Sequence, residues 1–331
     1  MVKLSLPSGS QFNYSRAIEL ANLIERSYEN YKNFKDDPDN ANRLLAPGVI
    51  TTGSEKIKDL CKDPDSATVE PLKGDIEYQI LEVFREFVGE DNDTPIGFIA
   101  QRKNGESLTD DYYVIFRGTM EKDEWKQNFR GEQSTFRIAN QGFDNLGKVA
   151  TGFMEVYTRH DPGFNSNFLS IADLIEKIFN KNQLPTTAKI FVSGHSLGGA
   201  LATIATRHLL AMNFKPILYT YASPRVGNKD FAEALAKTEC YRVTNSEDIV
   251  PYVAFATLNP TGDDMQSKNF VRGRIEGLLR FTRLVNFDLD LINAEDQYIH
   301  AGEPIYFTDN RGAISMNHNM YRTYREALAN S

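Results

Sequence analysis

One segment near the middle of the chain constrains the fold most. An apolar run from Ile190 to Ser193 leads into a Gly-x-Ser-x-Gly sequence centred on Ser196, and a small-residue helical pattern follows from Leu197 to Met212. A sharp turn from strand to helix crowds the backbone, so the residues two before and two after its centre must be small, as Gly194 and Gly198 are. The pattern predicts a nucleophile elbow that exposes the Ser196 hydroxyl beside a helix N-terminus, where developing negative charge is stabilised. The alternative is a glycine-rich turn that only packs a helix closely.

Helical and strand patterns alternate around this elbow. Such alternation is typical of βαβ units, and it predicts an α/β fold with a parallel sheet covered by helices. Besides the elbow, the predicted elements are helices at Leu169 to Asn180, Lys229 to Thr238 and Tyr321 to Asn330 and strands at Ile217 to Tyr221 and Tyr241 to Thr244.

The N-terminal part has a different pattern. Apolar residues at helical spacing predict an amphipathic helix from Tyr14 to Tyr31. Two apolar and aromatic runs, Ile96 to Lys103 and Tyr112 to Phe116, flank an Asn-Gly pair and predict a hairpin. We expect a single domain over residues 1–331, in which residues 1–90 form a helical or extension region.

Composition excludes several classes of protein. The net charge of −8 argues against a dedicated nucleic-acid binder, whose footprint is basic. The two cysteines, Cys61 and Cys240, are too far apart for metal-ligand spacing or a disulfide framework. Because the sequence also shows no metal-ligating cluster and no phosphate-cradling loop, we expect neither a metal nor an organic cofactor.

Hydropathy suggests a location for the chain. No run of about 18 apolar residues is present, and the first residues lack the apolar core of a signal peptide. The chain as given is therefore predicted to be cytoplasmic, or secreted if a signal has been removed.

A serine nucleophile needs a histidine base and an acid that orients the histidine. On this fold the acid follows the serine in sequence, and the histidine comes last. Asp248 stands just after the strand Tyr241 to Thr244, at the sheet edge where active sites form. Glu247 is its neighbour and rival, and a solvated acidic loop is the alternative for both.

Five histidines compete for the role of base. His160 precedes Ser196. His195 lies inside the elbow and His208 on the helix after it, where neither reaches round to the serine hydroxyl. His300 and His318 remain as candidates.

Taken together, these residues resemble the class 3 lipases, a group of α/β-hydrolases that includes fungal lipases. The resemblance extends over residues 97–321. It is carried by four ordered motifs: Phe116-Arg117-Gly118-Thr119, Gly194-His195-Ser196-Leu197-Gly198-Gly199, Ala222-Ser223-Pro224-Arg225-Val226-Gly227-Asn228 and Asp248-Ile249-Val250-Pro251.

The resemblance implies an α/β-hydrolase fold with a mostly parallel central sheet flanked by helices and a candidate lid. It implies Ser196 as nucleophile, Asp248 as triad acid and His318, in a His-x-x-Tyr segment, as general base, with His300 as the alternative. The oxyanion hole would use the backbone N–H groups of Thr119 and Leu197. We assign Arg117 to structure.

The implied reaction is hydrolysis of carboxylic esters, most simply lipid acyl esters. Two related alternatives are a carboxylesterase acting on soluble or aromatic esters and an acyl-hydrolase of polar lipids. A lipase-like binding or signalling module without turnover is the non-enzyme alternative.

Two segments are candidates for contact with lipid. Met120 to Asn145 follows the predicted oxyanion strand and is a candidate lid or a surface loop. Lys268 to Val285, inside a candidate inserted helix at residues 260–290, carries five basic residues and one acidic residue. A basic amphipathic helix can lie on an anionic membrane surface, although docking on its own domain is the simpler alternative. The oligomeric state is not predicted.

Overall fold

The computed structural model describes about two thirds of the chain. The described residues are 3–36, 49–51, 76–87, 93–119, 133–138, 147–159, 169–179, 184–185, 187–252 and 298–331.

Eight strands of the described residues form one sheet in the order β1-β2-β3-β4-β7-β8-β9-β10, and β5 pairs with β6 in a small separate sheet. The strands are β1 (Val49–Thr51), β2 (Glu77–Phe87), β3 (Asp93–Asn104), β4 (Ser107–Phe116), β5 (Gln133–Thr135), β6 (Lys148–Ala150), β7 (Lys189–His195), β8 (Ile217–Tyr221), β9 (Cys240–Asn245) and β10 (Glu303–Phe307).

Strands β4, β7, β8, β9 and β10 run parallel to one another. They are apolar on both faces because a separate hydrophobic cluster covers each side of the sheet. Val192 of β7 packs in one cluster and Phe191, its neighbour, packs in the other. The predicted parallel sheet with helices on its faces is therefore what the chain forms.

The helices surround this sheet. They are α1 (Tyr14–Asp36), α2 (Thr151–Thr158), α3 (Ile171–Ile178), α4 (Leu197–Ala211), α5 (Lys229–Leu235), α6 (Ile314–Asn317) and α7 (Glu326–Ala329), and a π-helical turn, Met320–Arg325, precedes α7. Helix α3 begins two residues later than predicted because Ser170 caps it, with Asp173 completing a capping box.

The antiparallel part of the sheet contains an element that the sequence did not predict. The hairpin of β3 and β4 forms as expected at Gly105, whose φ is 61°. Strand β2, however, lies inside the segment expected to be helical or an extension. Its register shifts between Ile80 and Glu82 and again between Phe84 and Arg85, and these irregularities break the alternation by which a strand is recognised.

Helix α1 packs across the sheet and reaches the C-terminal helices. Its face toward the sheet includes Leu20 and Ile24, both fully buried. Glu19 accepts hydrogen bonds from the hydroxyls of Tyr78 and Tyr113, at 2.6 and 2.8 Å, on the strands beneath it. The N-terminal helix therefore packs both on the sheet and on the C-terminal helices.

The two candidate lipid-contact segments lie largely or wholly outside the described residues. Within Met120 to Asn145 only residues 133–138 are described, and they form β5 and the three residues after it. Lys268 to Val285 is not described. Among the described helices, none is long and apolar enough to cross a membrane.

Candidate active site

The turn between β7 and α4 has the geometry of a nucleophile elbow. Ser196 adopts φ 59° and ψ −126°, a strained conformation for a residue with a side chain. A Cβ on Gly194 would lie 2.0 Å from the Gly198 carbonyl oxygen, and one on Gly198 would lie 2.3 Å from the Arg117 carbonyl oxygen. Both positions therefore require glycine, and the crowding holds the serine at the end of the sheet.

Ser196, His318 and Asp248 form a continuous chain of hydrogen bonds. The His318 Nε2 atom lies 2.8 Å from Ser196 Oγ, and its Nδ1 atom lies 2.7 Å from Asp248 Oδ2. Because a carboxylate can only accept, Nδ1 carries the proton and Nε2 presents its lone pair to the serine hydroxyl. This is the tautomer that a general base for Ser196 requires.

The Asp248 carboxylate is buried and satisfied by donors on both oxygens. Its side chain is fully buried. Tyr324 donates its hydroxyl to Oδ2 at 2.6 Å, and the Val250 N–H donates to Oδ1 at 3.0 Å. Burial, followed by the charge of Asp248, raises the pKa of Tyr324 well above its usual value, so the phenol remains a donor. These contacts leave the carboxylate directed at His318.

Asn245, at the end of β9, joins the acid loop to the loop that carries the histidine. Its side-chain amide donates to the backbone carbonyls of Asp309 and Asn317 at 2.8 and 3.2 Å, while its backbone N–H donates to the Tyr324 hydroxyl at 3.1 Å. The π-helical turn that contains Tyr324 adds a residue to the helix, and turns of this kind are frequent at functional sites. Together these contacts hold the loop that carries Asp248 beside the loop that carries His318, although the two residues are 70 positions apart in the sequence.

The two rivals are directed elsewhere. The Glu247 carboxylate accepts a hydrogen bond from the Asn310 side chain at 3.2 Å. The His300 ring donates to the Pro251 carbonyl, and burial, together with the charges of Arg242 and Arg225, lowers the pKa of His300 well below its usual value. His318 is thus the candidate hydrogen-bonded to Ser196, and Asp248 is the candidate hydrogen-bonded to His318.

The predicted oxyanion donors flank the serine. Leu197 is the first residue of α4, so its N–H has no acceptor within the helix. Thr119 follows Gly118, and a Cβ on Gly118 would lie 2.8 Å from the Ser196 Cβ. The segment that carries Thr119 therefore lies against Ser196. In the described part of the chain, the buried Thr119 hydroxyl has no hydrogen-bond partner.

Sequence reasoning missed three contributors to this site. Tyr324 lies in a segment where only a helix was predicted, and Tyr28 lies on α1, where its aromatic ring reads as a core residue. The His195 ring, set aside as a base, accepts from the Tyr28 hydroxyl at 2.8 Å through Nδ1 and donates from Nε2 to the His318 carbonyl at 2.9 Å. No spacing along the chain signals these contacts.

The described residues include neither a metal-binding cluster nor an exposed thiol. No group of three or more histidine, cysteine or acidic side chains in this part could hold a metal ion. Cys240 is a free, buried thiol whose pKa is raised by burial to about 12. Cys61 lies outside the described residues.

A comparison with protein families finds a match over the middle of the chain. The family model for lipase (class 3) matches residues 113–258, a span that contains Thr119, Ser196 and Asp248. The resemblance to the class 3 lipases is confirmed. The matched segment ends before His318, which lies in a part of the chain that the family model does not cover.

Proteins similar to this chain include lipases and phospholipases. Secreted mono- and diacylglycerol lipase 1 of Fusarium solani is 35% identical over 141 residues, which cover 42% of this chain and 38% of that protein. Phospholipase A1-II 1 of Oryza sativa subsp. indica is 31% identical over 153 residues, covering 43% of this chain and 39% of that protein. The chain thus spans about two fifths of the length of these relatives.

A solved structure supports the fold. The crystal structure of M37 lipase is 18% identical and covers 96% of this chain and 89% of its own, with a TM-score of 0.50. With its mainly parallel sheet and flanking helices, the chain has the α/β-hydrolase fold that was expected.

Proposed function

We propose that this chain hydrolyses carboxylic esters, most simply lipid acyl esters, with Ser196 as nucleophile, His318 as general base and Asp248 as the acid that orients it. The observation that carries the proposal is the hydrogen-bond chain from Asp248 through His318 to Ser196 on a strained elbow. An Asp–His–Ser chain of this geometry activates a serine for attack on an acyl carbon.

In the acylation half, the Ser196 oxygen forms a bond to the carbonyl carbon while its proton passes to His318 Nε2. The carbonyl oxygen becomes an oxyanion beside the backbone N–H groups of Thr119 and Leu197, which stabilise the charge as it develops. The carbon–oxygen bond to the alcohol then breaks, and His318 returns the proton to the departing alkoxide. An ester of Ser196 remains.

In the deacylation half, a water molecule takes the place of the alcohol. His318 accepts its proton while the water oxygen attacks the acyl carbon, and the second oxyanion uses the same donors. Collapse breaks the bond to Ser196 Oγ, which recovers its proton from His318. The carboxylic acid leaves and the site returns to its starting state without a metal or an organic cofactor.

The named relatives support a lipid substrate. The Fusarium relative is named for mono- and diacylglycerols and the rice relative for phospholipids, so acylglycerols are our first candidate and polar lipids our second. Turnover of monoolein, dioleoylphosphatidylcholine and a short-chain soluble ester, each measured below and above the concentration at which it aggregates, separates the lipid classes from a soluble-ester carboxylesterase.

The test of the mechanism is Ser196→Ala. We expect the loss of the hydroxyl to lower ester turnover by about 10³-fold or more and to abolish labelling by a fluorophosphonate, with the thermal transition retained. Ser193→Ala is the matched control, because it removes a buried serine hydroxyl on β7 that donates to the Tyr219 carbonyl at 2.7 Å, away from Ser196.

Turnover by Ser196→Ala equal to that of the wild type would reject the proposal. A wild-type chain that neither hydrolyses any of these esters nor reacts with the fluorophosphonate would favour the non-enzyme alternative, a lipase-like binding module.

A further inference from the structure

A side chain of the N-terminal helix accepts a hydrogen bond from the backbone N–H of Gly118. Gly118 donates its N–H to the hydroxyl oxygen of Tyr28 at 2.8 Å. The same hydroxyl lies 2.8 Å from Nδ1 of His195, the residue before the nucleophile. One phenol on α1 therefore joins the oxyanion segment to the elbow, although the three residues are far apart in the sequence.

The direction of each hydrogen bond in this network follows from the acceptors. The His318 carbonyl can only accept, so His195 Nε2, 2.9 Å away, carries the ring proton. In the neutral ring Nδ1 is then an acceptor, and Tyr28 donates its hydroxyl proton to it. The Tyr28 oxygen lone pairs remain for the Gly118 N–H, and every group in the network is satisfied.

The carbonyl of Gly118 is bound as well. Arg117 donates from Nη1 to this oxygen at 2.8 Å, and its guanidinium is completely buried. This carbonyl belongs to the same peptide unit as the Thr119 N–H, one of the two proposed oxyanion donors. A charged donor on the carbonyl polarises the peptide and strengthens its N–H as a donor.

Helix α1 also contacts Arg117. The Arg117 guanidinium carbon lies 4.1 Å from the centre of the Tyr31 ring, a cation–π contact. Tyr28 and Tyr31 are three residues apart and so share one face of the helix. Two side chains of one helix face thus act on the two sides of Gly118: Tyr28 directly at its N–H, and Tyr31 through Arg117 at its carbonyl.

We propose that Tyr28 is a positioning residue of the active site, and that α1, through Tyr28 and through Tyr31 with Arg117, sets the orientation of the Thr119 N–H toward the oxyanion. The inference rests on the proposed function, since it concerns the charge that develops during acyl transfer. It assigns the N-terminal helix to catalysis and gives Arg117 a role beyond packing.

The consequence is specific to the transition state. Without the Tyr28 hydroxyl, the Gly118 N–H loses this acceptor and His195 Nδ1 loses its donor, so the segment is free to adopt other orientations. Binding of a neutral ester depends little on the Thr119 N–H, whereas the oxyanion depends on it strongly. Loss of the hydroxyl should therefore lower kcat more than it raises KM.

The experiment compares Tyr28→Phe with Tyr78→Phe. Each variant removes one buried or partly buried phenol hydroxyl that joins α1 to the rest of the domain, but Tyr78 bonds to Glu19 and does not contact the site. The measurements are kcat and KM on a soluble short-chain ester, and inhibition by a trifluoromethyl ketone, which forms an oxyanion adduct on a serine, and by the ether of the same shape, which does not.

For Tyr28→Phe we expect kcat to fall by about 10-fold or more, since complete loss of an oxyanion donor costs about 10²–10³. KM should change by less than about twofold. Inhibition by the ketone should weaken by the same factor as kcat/KM, with inhibition by the ether unchanged. Tyr78→Phe should alter none of these constants. Tyr31→Leu, which removes the ring over Arg117, should give the same pattern with a smaller factor and serves if Tyr28→Phe does not fold.

The outcomes separate the two proposals. An active wild type with kcat and ketone inhibition equal in Tyr28→Phe and Tyr78→Phe overturns the inference and leaves Tyr28 as a packing residue. If Tyr28→Phe does not fold, a Tyr31→Leu variant with unchanged kcat and ketone inhibition overturns it. Undiminished turnover in Ser196→Ala overturns the proposed function instead.

Discussion

The two imidazole rings beside Ser196 differ in their hydrogen-bond partners and therefore in their proton states. Their centres are 4.6 Å apart. Burial, and next the neighbouring His318, lower the pKa of His195 well below its usual value, and both of its ring nitrogens are occupied by fixed partners. His195 is therefore neutral, and in the proposed mechanism His318 is the ring that accepts the serine proton.

The different contacts of His318 and His300 predict different effects of replacing each of them with alanine. His318→Ala should lower ester turnover by about 10³-fold or more and slow labelling by a fluorophosphonate, because an unactivated serine attacks either electrophile slowly. His300→Ala removes a ring that donates to the Pro251 carbonyl and should cost about 1–3 kcal/mol of stability with labelling retained. The measurement is the rate of labelling, taken for both variants at one temperature below both melting transitions. A rapidly labelled His318→Ala beside an inert, folded His300→Ala would transfer the role of base to His300.

At the scale of elements, α1 carries an unusual buried acid where it meets the C-terminal helices. Glu25 is buried, and neither of its carboxylate oxygens has a hydrogen-bond partner in the described part of the chain; Arg325 Nε lies 3.9 Å away. Burial is the main reason that the pKa of Glu25 is raised to about 8. The positive charges of Arg325 and Arg26 oppose this rise, and the negative charges of Glu29 and Glu326 add to it. The folded protein thus holds this carboxyl protonated at neutral pH.

The raised pKa predicts how stability depends on pH. The unfolded chain releases the Glu25 proton near its ordinary pKa of 4.5 and the folded chain near 8, so the folded state binds more protons between these values. The contribution of Glu25 to the free energy of unfolding is complete below about pH 4.5, falls as the pH rises to about 8 and is constant above that. Its total is of order a few kcal/mol.

Glu25→Gln removes this titration. Its melting temperature, measured by calorimetry, should exceed that of the wild type by several degrees at pH 8.5, and the difference should shrink steadily toward pH 5. Glu233→Gln, at an exposed position of α5, is the control and should leave the profile unchanged. A Glu25→Gln curve parallel to that of the wild type from pH 5 to 8.5 would show that Glu25 does not take up a proton on folding.

At the scale of the whole molecule, charge is unevenly distributed along the chain. The net charge is −8, yet residues 268–283 carry five basic side chains against one acidic side chain. Clustered Lys and Arg residues near an anionic lipid surface contribute about 1 kcal/mol each to binding. This segment therefore remains our proposal for contact with a lipid surface.

The prediction is tested by reversing charge in the segment. Arg272, Arg280 and Arg283 changed together to Glu should weaken binding to vesicles of phosphatidylserine and phosphatidylcholine and slow hydrolysis of aggregated ester, with soluble esters hardly affected. The control reverses Lys215, Lys229 and Lys237, which are exposed elsewhere and give the same change in net charge. Equal vesicle binding by the two triple variants would show that only net charge matters.

Neighbouring residues of the sequence predicted the elbow, the position of Ser196 within it and the fold class. The reason is that a strand, a crowded turn and a helix are encoded by adjacent residues: Gly194 and Gly198 are needed within a few positions of Ser196, and apolar periodicity marks the elements on either side. The position of Asp248 could also be predicted from the sequence, because a residue just after a parallel strand lies at the sheet edge that carries the elbow.

Only the tertiary structure shows that His318 is hydrogen-bonded to Ser196, that β2 joins the sheet, and that Tyr324 and Tyr28 contact the site. These outcomes depend on contacts between distant parts of the chain. Tyr28 and His195 are 167 positions apart, and His318 and Ser196 are 122 positions apart. No local sequence pattern predicts contacts between residues so far apart. These contacts are set by the packing of α1 and the C-terminal π-helical turn onto one sheet, where burial favours the pairing of polar groups.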